Sequence, residues 1–252
     1  VRGTFAKLRR GRAIRLMTVV LLTRPGQEND NLASLLAGQV AEIYVRPLIE
    51  IKPVTFTQKD RRLIMDIDQQ DAIIFVSKSA VRHSMPELET YWPQWPVRLN
   101  CFAVGIGTSL ALLDHGIKAD YPIVAGSEGL LELSGLRKVK DLKLTIVRGV
   151  GGRELLASEL IRRGAKVTYL EVYERRATTD DDWRDLSPGT IVVVTSIAAL
   201  DSLRAKLGEN VGEYQLVVAS PRIAAQSQDF AQTTIAAGAS DLALYDAILE
   251  SL

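Results

Sequence analysis

Short runs of consecutive apolar residues alternate along this chain with longer stretches whose apolar positions recur every three or four residues. The runs lie at 19–22 (VVLL), 73–76 (IIFV), 102–104 (FAV), 144–147 (LTIV), 191–194 (IVVV) and 216–219 (LVVA). Runs of this length, rich in Val and Ile and bounded by Gly, Pro or Ser, predict strands buried on both faces. Between them, positions such as Leu155, Leu156, Leu160 and Ile161 keep helical spacing until Gly164, a C-terminal stop. Apolar strands alternating with amphipathic helices predict an α/β fold in which a parallel sheet is covered on both faces.

The pattern also repeats. Residues 71–136 read as a strand ending at Ser77, a strand ending at Gly105 and a strand leading to AGSEGLLEL. Residues 189–251 read as a strand ending at Ser196, one ending at Ser220 and one leading to IAAGASDLALYDAIL. A duplication predicts two related domains. Open parallel sheets bind ligands at the carboxyl ends of their strands. Ser77, Gly105, Arg148, Ser196 and Ser220 all fall just past predicted strand ends. Ser127 and Ser240 each open a helical pattern, and capping of free N–H groups accounts for both.

The segment 144–176 carries the densest chemistry. A strand is followed by Arg148, Gly149, Gly151, Gly152 and Arg153, then a helix, then a second strand at 167–173. Glycines between a strand and a helix let backbone N–H groups face an anion, and arginines clamp carboxylates or phosphates. A plain βα turn with solvated arginines explains the same residues. On the second strand, alternation puts Tyr169, Glu171 and Tyr173 on one face and Leu170 and Val172 on the other.

Composition narrows the field. No apolar run approaches the roughly 18 residues of a membrane span. One cysteine, Cys101, excludes an intramolecular disulfide and suits a reducing, cytoplasmic setting. With only His83 and His115 beside it, a structural zinc site is not expected. The net charge of +1 conceals an uneven distribution, because residues 1–16 hold six basic residues and no acids. The remainder has 25 basic and 30 acidic residues, a net of −5, which gives no reason to expect nucleic acid. The basic leader is expected to be a disordered tail or sequence upstream of the true start; a targeting segment ranks second.

The ordered set LLTRP (21–25), PLIEI (47–51), FVSKSAV (75–81), FAVGIGT (102–108), PIVAGSEGLLEL (122–133), RGVGGRE (148–154) and EVYER (171–175) resembles the uroporphyrinogen-III synthase family. The resemblance runs from about Met17 to the C-terminus. It implies a domain from 17–47 plus 175–252, a second from 54–168, linker strands at 48–53 and 169–174, and an interdomain cleft. It further implies an enzyme without cofactor or metal whose substrate is hydroxymethylbilane, a linear tetrapyrrole with eight carboxylates. That substrate would lose its hydroxyl as water and close with inversion of the last ring, a spirocyclic intermediate being the usual proposal. A monomer, and a transient hand-over from hydroxymethylbilane synthase, belong to the same expectation.

By position in these motifs, Tyr173 is the expected general acid and Thr108 a cleft residue. Arg24, Ser77, Gly105, Arg148, Gly151, Gly152, Arg153, Ser196, Ser220 and Arg222 are the other expected substrate contacts. Some relatives carry threonines where this chain has Ser220, Arg222 and Ile223, so no catalytic hydroxyl is expected there. Two other readings stay open. Gly105 and Gly107 match two glycines of a dinucleotide fingerprint whose third position is Leu110. A two-domain cleft also suits a non-catalytic tetrapyrrole sensor.

Overall fold

The computed structural model describes residues 17–152, 154–179, 183 and 186–252, with Gln27 described by its backbone alone. The basic leader and Arg153 lie outside the described residues. The strands, in chain order, are β1 (Val19–Leu22), β2 (Glu42–Val45), β3 (Ile49–Pro53), β4 (Ala72–Phe75), β5 (Asn100–Ala103), β6 (Lys143–Gly149), β7 (Lys166–Ala177), β8 (Ile191–Val194), β9 (Gln215–Val218) and β10 (Gln232–Ile235). The chain divides into two compact units: one comprises residues up to Glu50 together with Arg176–Leu252, the other Ile51–Arg175.

In the first unit the sheet order is β10-β9-β8-β1-β2, parallel throughout. In the second it is β3-β7-β6-β4-β5, with β7, β6, β4 and β5 parallel. Each central strand is a run of buried residues because both faces are covered. Along β4, Ile73 and Phe75 pack with Val81, Met85, Leu88 and Leu112. Ala72 and Ile74 take the opposite face with Leu130, Leu144, Ile146 and Leu160. In the first unit Val192 and Val194 join Leu21, Leu200 and Leu216, while Ile191 and Val193 join Val20, Leu22 and Leu244. Burying each such side chain stabilises the fold by about 1.5–3 kcal/mol.

Strand order creates a switch point in each sheet. In the second unit the chain leaves β4 outward to β5 but leaves β6 the other way to β7, and β4 and β6 are neighbours. In the first unit β1 leads to β2 and β8 leads to β9, and β1 and β8 are neighbours. Loops diverge at the carboxyl ends of such pairs and leave a crevice.

Two local expectations fail. The strand expected before AGSEG does not form: Asp120 makes one isolated bridge to Phe102, and Pro122, which has no N–H to donate to a ladder, stands two residues later. Its counterpart in the first unit, β10, does form. Nor does Ser127 cap a helix. It is the first residue of the helix Ser127–Glu132, and Gly126 holds the capping position. Ser240 caps as expected, its Oγ accepting from the Ala243 amide at 3.3 Å.

Candidate functional site

At the carboxyl end of β4, Ser77 turns the chain from extended backbone into the helix Lys78–Tyr91. Its Oγ accepts the Ala80 amide at 2.9 Å, so one lone pair is fixed by capping. The same Oγ lies 3.2 Å from the Tyr173 hydroxyl, 96 residues away. Arg175 donates from Nη2 to that phenol oxygen at 3.3 Å, its guanidinium 5.5 Å from the ring centroid. Two hydroxyls and a cation therefore meet at the carboxyl end of β4, where Tyr173 on β7 lies opposite Gly149, the last residue of β6.

Tyr173 does not share the face of Tyr169, as simple alternation requires. It packs in one cluster with Leu170, Val172, Phe75 and Val81, and is only 2% exposed. The cause is a bulge. Arg148 pairs with Glu171 but Gly149 pairs with Tyr173, so β7 spends one extra residue and the next side chain is re-aimed. Gly149 then forms the floor under the ring, since a Cβ there would lie 2.5 Å from Cε2 and 2.6 Å from Cζ of Tyr173. His83, one turn into the helix after Ser77, stands with its ring centroid 5.9 Å from that of Tyr173. Burial, then Arg82, hold its imidazole below the ordinary range.

The glycine loop after β6 is held from within. Arg148, 5% exposed, donates through Nε to the Gly149 carbonyl at 3.2 Å, through Nη2 to the Gly152 carbonyl at 2.9 Å, and through Nη1 to Glu154 Oε1 at 2.9 Å. It also stacks 4.2 Å over the Tyr169 ring and lies 3.4 Å from Glu171 Oε1. Tyr169 donates to Glu154, and burial followed by that bond push its phenol up to about 12. The Tyr169 bond, then Arg148, hold the Glu154 carboxyl below its usual value. Among the described residues, Arg148 thus fastens its own loop. Gly151 supplies a left-handed turn at φ +69°, and a Cβ on Gly152 would come within 3.3 Å of the Arg148 guanidinium.

After β5, Gly105 opens the helix Ile106–Leu113 in extended backbone, and a Cβ there would lie 2.8 Å from that of Ala125. The Thr108 amide donates to the Gly105 carbonyl at 3.0 Å. The Thr108 side chain is 4% exposed, and its hydroxyl makes no hydrogen bond among the described residues. Before β5, Trp92 and Trp95 of the sequence YWPQWP (91–96) pack on their own unit, with the Trp92 indole donating to the Ile64 carbonyl at 2.7 Å.

In the first unit Ser196 repeats the geometry of Ser77 at the end of β8, capping the helix Ile197–Leu207 through the Ala199 amide at 3.2 Å. Ser220, at the end of β9, starts the short helix Pro221–Ala224 without a side-chain cap. Arg222 in that helix is exposed and has no partner among the described residues. Arg24 is different. It is 7% exposed and tied to Asp241 Oδ1 at 2.6 Å, to the Glu28 carbonyl and to the Ala239 carbonyl. Its bonds join the end of β1 to the start of the helix Asp241–Glu250.

Gly149 as the seat of the ring and Arg175 as a partner of the phenol were not evident from sequence. EVYER puts Arg175 two residues from Tyr173, which on a strand is same-face spacing and a usable signal. No local pattern marks Gly149. No group of three or more His, Cys, Asp and Glu able to hold a metal occurs among the described residues, and no helix there is long and apolar enough to cross a membrane.

Comparisons with known proteins converge. The family model described as Uroporphyrinogen-III synthase HemD matches residues 30–243. The uroporphyrinogen-III synthase of Escherichia coli K12 is 33% identical over 248 residues, spanning 92% of this chain and 99% of that protein. That of Salmonella typhimurium is 33% identical over 186 residues, 70% of this chain and 75% of that protein. Among solved structures, the uroporphyrinogen-III synthetase of Helicobacter pylori superimposes with a TM-score of 0.64 at 16% identity, covering 93% of this chain and 99% of that one. A mutant synthase of Thermus thermophilus gives a TM-score of 0.58 at 14% identity, covering 92% and 96%. These structural likenesses speak to the fold.

Proposed function

This chain belongs to the uroporphyrinogen-III synthase family, lyases of tetrapyrrole biosynthesis, and from that premise we propose that it acts on hydroxymethylbilane through the Tyr173–Ser77 hydroxyl pair. Such a substrate is reactive by itself and closes unaided to the wrong isomer. The protein's task is to fold the chain in one shape and to help the hydroxyl leave. Tyr173 gives its phenolic proton to that hydroxyl as the C–O bond breaks, the bonding pair going to oxygen and water departing. The phenolate left behind accepts from Arg175 and from Ser77, both within 3.3 Å of the phenol oxygen. A proton released when the last ring becomes aromatic restores the phenol, so the cycle consumes none.

The observation that carries this reading is the pairing of Ser77 Oγ, at the carboxyl end of β4, with the Tyr173 hydroxyl on β7 at 3.2 Å, beside a cation. The Ala80 amide fixes one side of Ser77 and Gly149 fixes the ring, so the phenol is oriented before substrate arrives. Thr108, Gly105 and the N–H groups of the glycine loop through Gly151 and Gly152 extend the same edge toward substrate carboxylates. Ser196, Ser220 and Arg222 offer an equivalent edge in the first unit, and Arg222 is a cation there without a partner among the described residues. For Arg24 and Arg148 the supported role is to hold these edges in shape. Direct hand-over from hydroxymethylbilane synthase in the cytoplasm suits so reactive a substrate and belongs to this proposal.

The test is the isomer composition of the uroporphyrin recovered, after oxidation, from freshly generated hydroxymethylbilane with and without the protein. Isomer III in excess is expected with the protein present. Isomer I at the uncatalysed rate would overturn the reading and leave a binding role.

A further inference from the structure

We infer that Lys78 docks one carboxylate of the substrate, and that Gly107 is a glycine because it seats that lysine; the inference rests on the reading of the Tyr173–Ser77 edge as the reaction site. Gly107 is the second residue of the helix Ile106–Leu113, an element in which glycine is less favourable than alanine. Its φ lies outside the left-handed region, so no turn demands it. What a side chain would meet is Lys78: a Cβ would stand 2.8 Å from Cε and 3.6 Å from Nζ. Apart from that flexible terminus the space is open.

Lys78 immediately follows Ser77 and is the first residue of its helix, so its stem crosses from the end of β4 to the start of the helix after β5. Lys78 is an exposed residue, and its stem lies against the Gly107 backbone, as long cationic side chains do with the head left to water. Its ammonium nonetheless has no carboxylate within ion-pair distance and no hydrogen bond among the described residues. A positioned, uncompensated cation one residue from Ser77 fits a monodentate aliphatic carboxylate. Lys78 and Arg175 then flank the hydroxyl pair from opposite sides, one on the β5 side and one on β7. The Gly-x-Gly after β5, suggestive of a dinucleotide loop, takes a different meaning: Gly105 makes room for Ala125 and Gly107 for Lys78.

The experiment uses the full chain with Lys78→Met, which keeps the stem, and Gly107→Ala, which the helix accepts and which pushes Lys78 aside. Steady-state formation of isomer III and binding of uroporphyrin III, an octacarboxylate read by its fluorescence, are measured for each and for the double variant. Lys78→Met is expected to raise KM and the uroporphyrin Kd about fivefold, the scale of a partly exposed ion pair, with kcat within twofold. Gly107→Ala is expected to match it without lowering the melting midpoint, and the double variant to be no worse than Lys78→Met alone. An unchanged KM and Kd in Lys78→Met, or fully additive effects in the double variant, would overturn the inference. Wild-type protein that forms no isomer III would instead overturn the parent reading, and the uroporphyrin titration would still report on Lys78.

Discussion

Replacing Gly149 by alanine isolates the seat of Tyr173. The backbone at Gly149 is not left-handed, so an L residue meets no conformational barrier. The new methyl carbon would instead stand 2.5 Å from Cε2, 2.6 Å from Cζ and 3.0 Å from Cδ2 of the tyrosine ring. Carbon atoms in contact rest about 3.5–4.0 Å apart, so the ring must retreat by about 1 Å. It has little room, being 2% exposed and packed with Leu170, Val172 and Phe75. Overpacking of this kind costs about 1–3 kcal/mol, read as a lower urea midpoint with unchanged m-value. The same displacement lengthens the bond from Tyr173 to Ser77. A misplacement near 1 Å costs about a hundredfold in rate, so isomer III formation should fall toward that of Tyr173→Phe. Gly149→Ala combined with Tyr173→Leu should recover stability but not activity. A Gly149→Ala protein with wild-type midpoint and a rate within twofold of wild type would refute the reasoning.

Arg24→Met should lower the stability of the first unit by about 1–3 kcal/mol and leave KM within twofold, since Arg24 is engaged with Asp241, which is partly hydrated and softens the loss. A raised KM at unchanged stability would return Arg24 to the substrate. Gly129→Ala should destabilise the second unit by more than about 1 kcal/mol, because its Cβ would fall 2.0 Å from the Val124 carbonyl oxygen, and backbone yields poorly; urea unfolding reads this. Arg162 and then Arg163 depress the Glu159 carboxyl from its ordinary 4.5 to about 2. A depressed carboxyl contributes stability that is present above the unfolded value and lost as pH falls toward the folded one, so Glu159→Gln should flatten part of the acid decline between about pH 5 and pH 2 in thermal melts.

Much of the fold was legible because its signals are local. The runs at β4 and β8 are uniformly apolar, and buried parallel strands require that. Ser240 caps the helix that follows it, as its place at the start of a helical pattern suggested. What failed depended on partners far along the chain. The orientation of Tyr173 is set by a register shift opposite Gly149 on β6, and strict alternation cannot register a bulge. The strand expected near Asp120 is reduced to one bridge in the mixed segment IKADYPIV, where Pro122 has no N–H for a ladder. Arg24 reads as a strand-end arginine free to bind, yet its carboxylate lies 217 residues later. Lys78 and Gly107 were likewise unreadable as a pair, because neither residue marks the other in sequence.

The most direct test of the account is the rate at which Tyr173→Phe forms isomer III from hydroxymethylbilane, measured in a single turnover with substrate binding determined separately. The change removes one oxygen and keeps the ring on Gly149. The account predicts a fall of about a hundredfold, the usual contribution of a general acid, with affinity within twofold and the fold intact. Isomer III formed by Tyr173→Phe at the wild-type rate would contradict it.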